Sequence, residues 1–300
     1  MIPPADLAAL LGGNPTVTMP PGGNVADLYF VDDQNGRKVV KVMRPDIPVD
    51  RAERELIALQ RVNHPGVARF LRHGTLQYQG QDYLFIVMEF VEGRRLTDVL
   101  AQINAKPLAE RMDLVTRLLD SVEALDAQHV VHRDIKPDNI IIRPDGSPVL
   151  VDLGWARLTD QATITVVGQR TGSLAYNSPE QYRGESVDGR SDLFGVGIVA
   201  YKILIGRHPF WSEVATDPPD WAAHAQGRPL VGLLTDPAIT DEVADAIDAL
   251  LEADVANRPA SGRIAAENIR AALAGSRPSL EVFPRSTFLV NIGNLKRHLE

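Results

Sequence analysis

Apolar residues along this chain change rhythm about a third of the way in. Residues 16–43 are strand-like: one run covers 25–31 and another 37–43, with the hairpin turn signal Asn35-Gly36 between them. Residues 84–90 form a continuous apolar run of strand length. Residues 50–62 instead place Leu56, Leu59 and Val62 on one helical face, with Asp50 as the expected N-cap. Beyond residue 100 the helical period takes over. Residues 108–127 carry Leu108, Met112, Val115, Leu118, Leu119, Val122 and Leu125 on one stripe. Residues 193–205 are apolar on all sides and read as a buried central helix opened by Asp192. Helices follow at about 240–252 and 261–274, with Thr240 and Ser261 as caps. Short β-branched runs interrupt this half at Val130-Val131, Ile140-Ile141-Ile142 and Val149-Leu150-Val151. Residues 5–11 suit one or two amphipathic turns stopped by Gly12-Gly13, whereas 155–177 and 212–228 read as loop. Strands first and helices after give an α+β chain.

Composition narrows the class. Three hundred residues suffice for one large domain or two lobes sharing an interface. A net charge of −8, with no basic run interleaved with aromatics, argues against nucleic acid as a partner. The absence of cysteine excludes disulfides and thiolate metal sites. The first residues lack the basic and apolar regions of a signal peptide, and the 193–205 run is too short to span a bilayer and contains Lys202. A cytoplasmic chain is expected, unless it is a piece of a longer membrane protein.

The chemistry concentrates in residues 130–142. A polar block sits between two buried strands, and Pro137 forbids one continuous helix or ladder through it. Asp134 can accept a hydroxyl proton, Lys136 can neutralise a phosphate, and Asn139 can offer an amide oxygen to a metal. Lys41 lies within the apolar run Val39-Val40-Lys41-Val42-Met43 and needs a partner or a route to water, with Glu53 and Glu55 as the candidate partners. Asp152 ends a buried strand just before Leu153-Gly154, an arrangement that suits a hard cation.

In order and spacing these residues resemble the eukaryotic-type (Hanks-type) protein kinase family, and within it the bacterial serine/threonine kinases. The catalytic-loop pattern H-R-D-x-x-x-x-N is met by His132, Arg133, Asp134 and Asn139. The resemblance implies a bilobal α+β fold. Residues 1–15 would be an N-terminal extension and 16–275 the kinase domain, with N-lobe 16–88, hinge 89–93 and C-lobe 94–275. Residues 276–300 would be a tail. It further implies that Asp134 and Lys136 act on the phosphoryl transfer and that Asn139 and Asp152 hold Mg²⁺ or Mn²⁺. Lys41, paired with Glu55, would grip the α- and β-phosphates of ATP. Glu55 is chosen because it stands nine residues before His64-Pro65. Pro21, Gly23 and Ala26 align with the family's three phosphate-loop glycines and Leu28 with its valine, so only the middle glycine is kept, with Gly22 beside it. The backbones of Glu89 and Val91 would meet the adenine edge, with Met88 behind it. Asp152-Leu153-Gly154 stands where the family has D-F-G, and Ser178-Pro179-Glu180 where it has A-P-E. Between them Thr163, Thr165 and Thr171 are candidate phosphorylation sites, with Arg133 as the cation that would order the loop. Asp192, besides capping its helix, would tether the backbone of the catalytic loop, and Glu180 and Arg258 would form an ion pair.

The implied activity is transfer of the γ-phosphoryl group of ATP to a serine or threonine of a protein, with autophosphorylation in the loop. Two other readings stay open: a pseudokinase acting as a nucleotide-binding or scaffold module, and a small-molecule kinase of the same fold. The expected partner is a protein substrate, with no nucleic acid and no membrane segment in this chain. A homodimer or a regulatory partner bound through residues 276–300 is also left open.

Overall fold

The first strands form one antiparallel sheet in the order β1-β2-β3-β5-β4: β1 (Thr16–Thr18), β2 (Ala26–Asp33), β3 (Gly36–Met43), β4 (Phe70–Tyr78) and β5 (Gln81–Glu89). This computed structural model describes residues 1–12, 15–18, 26–160, 174–210 and 239–276. Pro21, Gly22, Gly23, Thr163, Thr165, Thr171, the 212–228 loop and the tail from 277 onward lie outside the described residues.

The two-residue strand period divides this sheet's side chains between two cores. Ala26, Met43, Ile86 and Met88 join the main core, whereas Tyr29, Val31, Val40, Val42, Phe85 and Val87 form a second cluster on the opposite face. Lys41 pairs across the ladder with Leu28 on one side and Ile86 on the other, so it shares the inner face. The outer face is covered by α1 (Pro4–Leu11), which falls within one residue of the turns expected over 5–11 and ends at Gly12. Ile2 and Leu7 are fully buried there, and the Tyr29 hydroxyl donates to the Ile2 carbonyl at 2.6 Å.

Against the inner face lies α2 (Val49–Arg61), with Ala52, Ala58 and Leu59 buried. Its cap position is Pro48, not Asp50; Asp50 falls inside the first turn and pairs with Arg54 at 3.1 Å. Strand β4 escapes the apolar pattern because only Leu76 of its residues is buried.

The second lobe is mainly helical. It contains α3 (Leu96–Asn104), α4 (Leu108–Asp126), α5 (Pro179–Arg183), α6 (Gly189–Ile205), α7 (Asp241–Asp248) and α8 (Gly262–Leu273). Helix α6 is buried along nearly its whole length and packs against α4, which also carries α8. The expected caps hold at α7 and α8, where Thr240 and Ser261 accept from the Val243 and Ile264 amides. At α6 the cap is Asp188 rather than Asp192, because the helix starts four residues earlier than the apolar run. Short strands complete the lobe: β6 (Arg94–Arg95), β8 (Ile140–Ile142) and β9 (Pro148–Leu150) form one sheet, and β7 (Val130–Val131) pairs with β10 (Arg157–Leu158). Gly93 makes the approach to β6 possible: at φ +151° a side chain there would run into the Ile142 carbonyl.

Candidate active site

The polar block between β7 and β8 is shaped by one buried carboxylate. Asp192, in the first turn of α6, accepts from the backbone amides of His132 at 2.7 Å and Arg133 at 2.8 Å. Burial pushes the Asp192 carboxyl up to about 6, while His132 and the two amide donors pull the other way. Arg133 takes a left-handed backbone at φ +66°, uncommon for a residue with a side chain. The chain then turns Asp134 inward, where it is nearly buried.

Three of the sequence-derived residues meet there. Lys136 Nζ donates to Asp134 Oδ2 at 2.8 Å. The Asn139 amide nitrogen donates to the same oxygen and to the Asp134 carbonyl, both at 2.9 Å. Asn139 ends a 3-10 turn over Pro137–Asn139, and the Thr97 hydroxyl ties that turn to α3 through Asp138. With its nitrogen donating, Asn139 keeps its amide oxygen for another group.

A second cluster forms where β3, α2 and the segment after β9 converge. Lys41 Nζ lies 2.6 Å from Glu55 Oε1 and 2.9 Å from Asp152 Oδ1. Of the two glutamates weighed, Glu55 is buried on Lys41 and Glu53 is exposed. Asp152 stands at φ +69° and also accepts from the Gly154 amide at 3.1 Å. A Cβ at Gly154 would lie 2.9 Å from both the Lys41 ammonium and Asp152 Oδ1, so a side chain there would push this pair out of place.

The charges in this cluster are strongly coupled. Burial works against the Lys41 ammonium, but Asp152 and Glu55 outweigh it and hold its pKa above the usual lysine value. The Lys41 charge holds the Asp152 carboxyl well below the usual range, against burial. For Glu55 burial wins, helped by the Asp152 charge, and its pKa is raised despite Lys41.

Asn139 and Asp152 are brought side by side by backbone pairing: the Val151 amide donates to the Asn139 carbonyl at 2.9 Å. The Asp152 side chain is 46% exposed, unlike its partner Lys41 at 6%. An amide oxygen and an accessible carboxylate fit a hard divalent cation, and two protein ligands are the usual number where phosphates and waters complete the shell. No group of three or more His, Asp or Glu side chains suited to a metal occurs among the described residues. A cation bound there would neutralise charge on the substrate phosphates.

At the inter-lobe connection Met88 is buried on the inner face, and Val91 is half-buried. The Glu89 amide already donates to the Arg69 carbonyl at 2.9 Å, so of the expected backbone contacts Glu89 has only its carbonyl to offer. Ala26 is buried at the start of β2, and Leu28 follows it opposite Lys41. Deeper in the helical lobe, Arg258 and Glu180 form a bidentate pair at 2.7 and 2.8 Å. Sequence reasoning missed Ser191, which donates to Glu180 at 2.6 Å, and Arg51, which reaches the Gly154 carbonyl. The signal for Arg51 was present: it stands one helical turn before Glu55 on the same face.

Comparison with known proteins agrees with this geometry. The family model described as "Protein kinase domain" matches residues 25–269. The chain belongs to the protein kinase family, and its strand-rich first lobe and helical second lobe are the bilobal α+β fold of that family. Among its relatives is the "Serine/threonine-protein kinase pkn2" of Myxococcus xanthus, 32% identical over 290 residues, covering 91% of this chain and 34% of the relative. The "Serine/threonine-protein kinase PknA" of Mycobacterium tuberculosis is 32% identical over 257 residues, covering 83% and 58%. The "Probable serine/threonine-protein kinase PknB" of Bifidobacterium longum is 36% identical over 210 residues, covering 64% and 30%. The chain thus spans between about a third and three fifths of the length of these relatives.

Proposed function

We propose that this chain is an ATP-dependent serine/threonine protein kinase that uses Mg²⁺ and acts on a protein hydroxyl. The observation that carries the reading is the constellation at Asp134. One carboxylate, buried and aimed by Lys136 and Asn139, stands in the same lobe as an accessible Asp152 already linked to Lys41 and Glu55. Asp134 orients the attacking hydroxyl and takes its proton. Lys136 neutralises charge on the transferring phosphoryl group. Lys41, fixed by Glu55, holds the α- and β-phosphates, while Asn139 and Asp152 hold the metal. The adenine would lie against the Glu89 carbonyl and Val91, near Ala26 and Leu28; Gly22 and Gly23, outside the described residues, are the candidate phosphate contacts. Rate enhancement comes mainly from positioning and electrostatics.

Autophosphorylation on Thr163, Thr165 or Thr171 belongs to the same proposal. Arg133 is brought down to about 10 by burial and by the charge of Arg157, with Asp192 opposing and Arg54 adding to the repulsion. The mutual repulsion of Arg133 with Arg157 and Arg54 favours a phosphate beside them. The kinase unit is taken as residues 16–275, with 276–300 as the candidate contact for a second copy or a regulator. Among the described residues no helix is long and apolar enough to cross a membrane. The lack of cysteine is the support for a cytoplasmic setting.

The test is intact mass after incubation with ATP and Mg²⁺, with Asp134→Asn beside the parent. Mass gained in steps of one phosphate, and lost in the variant, is the expected result. No gain with the parent on itself or on added Ser/Thr proteins, despite a thermal shift with ATP, would replace the kinase with a nucleotide-binding module.

A further inference from the structure

The first turns of α2 have little apolar anchorage. Among the described side chains from 50 to 55, Ala52 is the one buried apolar residue. What fixes this end of the helix, and with it Glu55, is polar. Glu55 reaches the Asp152–Gly154 turn through Lys41. Arg51, four residues earlier and so on the same face, reaches it directly. Its guanidinium carbon lies 3.8 Å from the centre of the Trp155 ring, and its Nε and Nη2 each lie 3.3 Å from the Gly154 carbonyl. Both Arg51 and Trp155 are half-buried, which keeps such a stack from being screened away.

We propose that Arg51 and Trp155 form a positioning clamp, holding the start of α2 on the Asp152–Gly154 turn so that Glu55 and Asp152 stay on the same lysine. The proposal rests on the reading of Lys41, Glu55 and Asp152 as the nucleotide and metal machinery. The far end of α2 has a second tie, from Arg61 to Asp160 at 2.9 and 3.0 Å and to the Gln128 carbonyl at 3.4 Å. That tie is solvent-exposed and worth less. Glu55 sits one turn from Arg51 and more than one turn from Arg61, so the N-terminal clamp has the greater leverage over it. Arg51 also adds a second positive charge facing Glu55 and Asp152, which oppose the effect of burial on its own pKa. Lys41 is thereby relieved of being their sole counter-charge. Neither Arg51 nor Trp155 is among the residues assigned to the nucleotide or the phosphoacceptor, so the clamp acts only through the placement of those that are.

The test uses the full chain carrying Trp211→Phe and Trp221→Phe, which leaves Trp155 as the one tryptophan of the original three. Turnover of this background is measured first. Steady-state kinetics on a Ser/Thr protein substrate are then compared for Arg51→Ala, Arg51→Lys, Trp155→Ala and Arg51→Ala/Trp155→Ala. For each single alanine variant kcat over the ATP KM is expected to fall about tenfold, with the phosphoacceptor KM unchanged. The double variant should be no worse than either single one, because the two residues act as a unit. Arg51→Lys should restore most of the loss, since an ammonium still sits over the indole. Acrylamide quenching of Trp155 should rise in Arg51→Ala and return toward the background in Arg51→Lys. Losses that multiply in the double variant, or an Arg51→Ala variant as active as its background, would overturn the clamp. Lys41→Met runs alongside. Turnover surviving in Lys41→Met would overturn the underlying site, whereas its loss beside an unaffected Arg51→Ala would remove the clamp alone.

Discussion

Among the described residues two buried cations, Arg258 and Lys41, bridge distant parts of the chain, and their ion pairs are built on opposite terms. Arg258 is completely buried and every nitrogen is used. Its two terminal nitrogens meet both oxygens of Glu180 at 2.7 and 2.8 Å, and its Nε donates to the Glu252 carbonyl at 2.8 Å. Ser191 adds a donor to Glu180, and the guanidinium lies over the Phe194 ring at 4.9 Å. Lys41 is nearly as buried, but one ammonium serves two carboxylates, and the Asp152 side chain is 46% exposed. A fully satisfied planar fork locks two segments together and offers nothing further. A point charge shared by two acids, one of them open to solvent, can exchange partners when phosphates and a cation arrive. The first arrangement is structural and the second is suited to chemistry.

The largest effect should separate the pairs by kind. Replacing Lys41 with Met is expected to lower turnover by about a thousandfold while shifting the melting temperature by only about 3 °C. The fold tolerates it because burial already disfavours the charge of Glu55 and Arg51 remains as a counter-charge facing it. Phosphotransfer kinetics beside a thermal melt would check this. A Lys41→Met protein that fails to fold would erase the contrast.

Arg258→Ala should behave in the opposite way. It strands the Glu180 carboxylate in the core, at an expected cost of about 3–5 kcal/mol in urea unfolding. A loss below about 1 kcal/mol would show that the closed pair is no more structural than a surface one.

The two pairs were also unequally legible. Glu180 and Arg258 stand seventy-eight residues apart, and nothing local in the chain joins them. Only the ordered spacing of family motifs put them together. Lys41 announced itself, because a lysine inside Val39–Met43 has to find an acid. The long amphipathic helix, the Asn35-Gly36 hairpin and the caps at Thr240 and Ser261 were readable from local pattern. Caps at Pro48 and Asp188 were not. In both places an acidic residue just inside the helix, Asp50 or Asp192, looked like the start. Of the two roles expected of Asp192, only the tether holds: its carboxylate accepts from the His132 and Arg133 amides and leaves the cap to Asp188. Strand β4 was hidden because only one of its residues is buried, so it lacks a strong apolar signal. Helix α1 was legible to within one residue, ending at Gly12 as expected.

Acid should dissolve the closed pair next. Glu180 is lowered from 4.5 to about 2: burial raises it, but the Arg258 hydrogen bonds and charge, with Ser191, outweigh that. A carboxylate with a depressed folded pKa adds stability that is full above its unfolded value and disappears as pH falls toward the folded one. The window is therefore about pH 4.5 to 2, and the contribution at neutrality is about 3 kcal/mol. Urea midpoints of the parent and Glu180→Gln should differ at pH 7 and converge as pH falls through that window. Asp152 is also depressed, but its exposed side chain is screened, so its share of the acid transition is smaller. Parallel curves for the two proteins down to pH 2.5 would mean that Glu180 is not the group responsible.

The smallest change sharpens the comparison most. In Glu55→Gln the side chain keeps its shape, and its amide oxygen can still accept from Lys41 Nζ, now 2.6 Å from Glu55 Oε1. Since burial disfavours the charge of Glu55, losing that charge should alter stability by less than about 1 kcal/mol. The consequence falls on Asp152. Lys41 then has one anion instead of two, and its attraction concentrates on the carboxylate proposed to hold the metal. Turnover should fall about tenfold, and the Mg²⁺ concentration needed for half-maximal activity should rise, because the cation must compete with Lys41 for Asp152. A magnesium titration of parent and Glu55→Gln reads this directly. An unchanged magnesium requirement together with reduced turnover would mean that Glu55 sets only the position of Lys41, and that the open pair does not share its charge with the metal site.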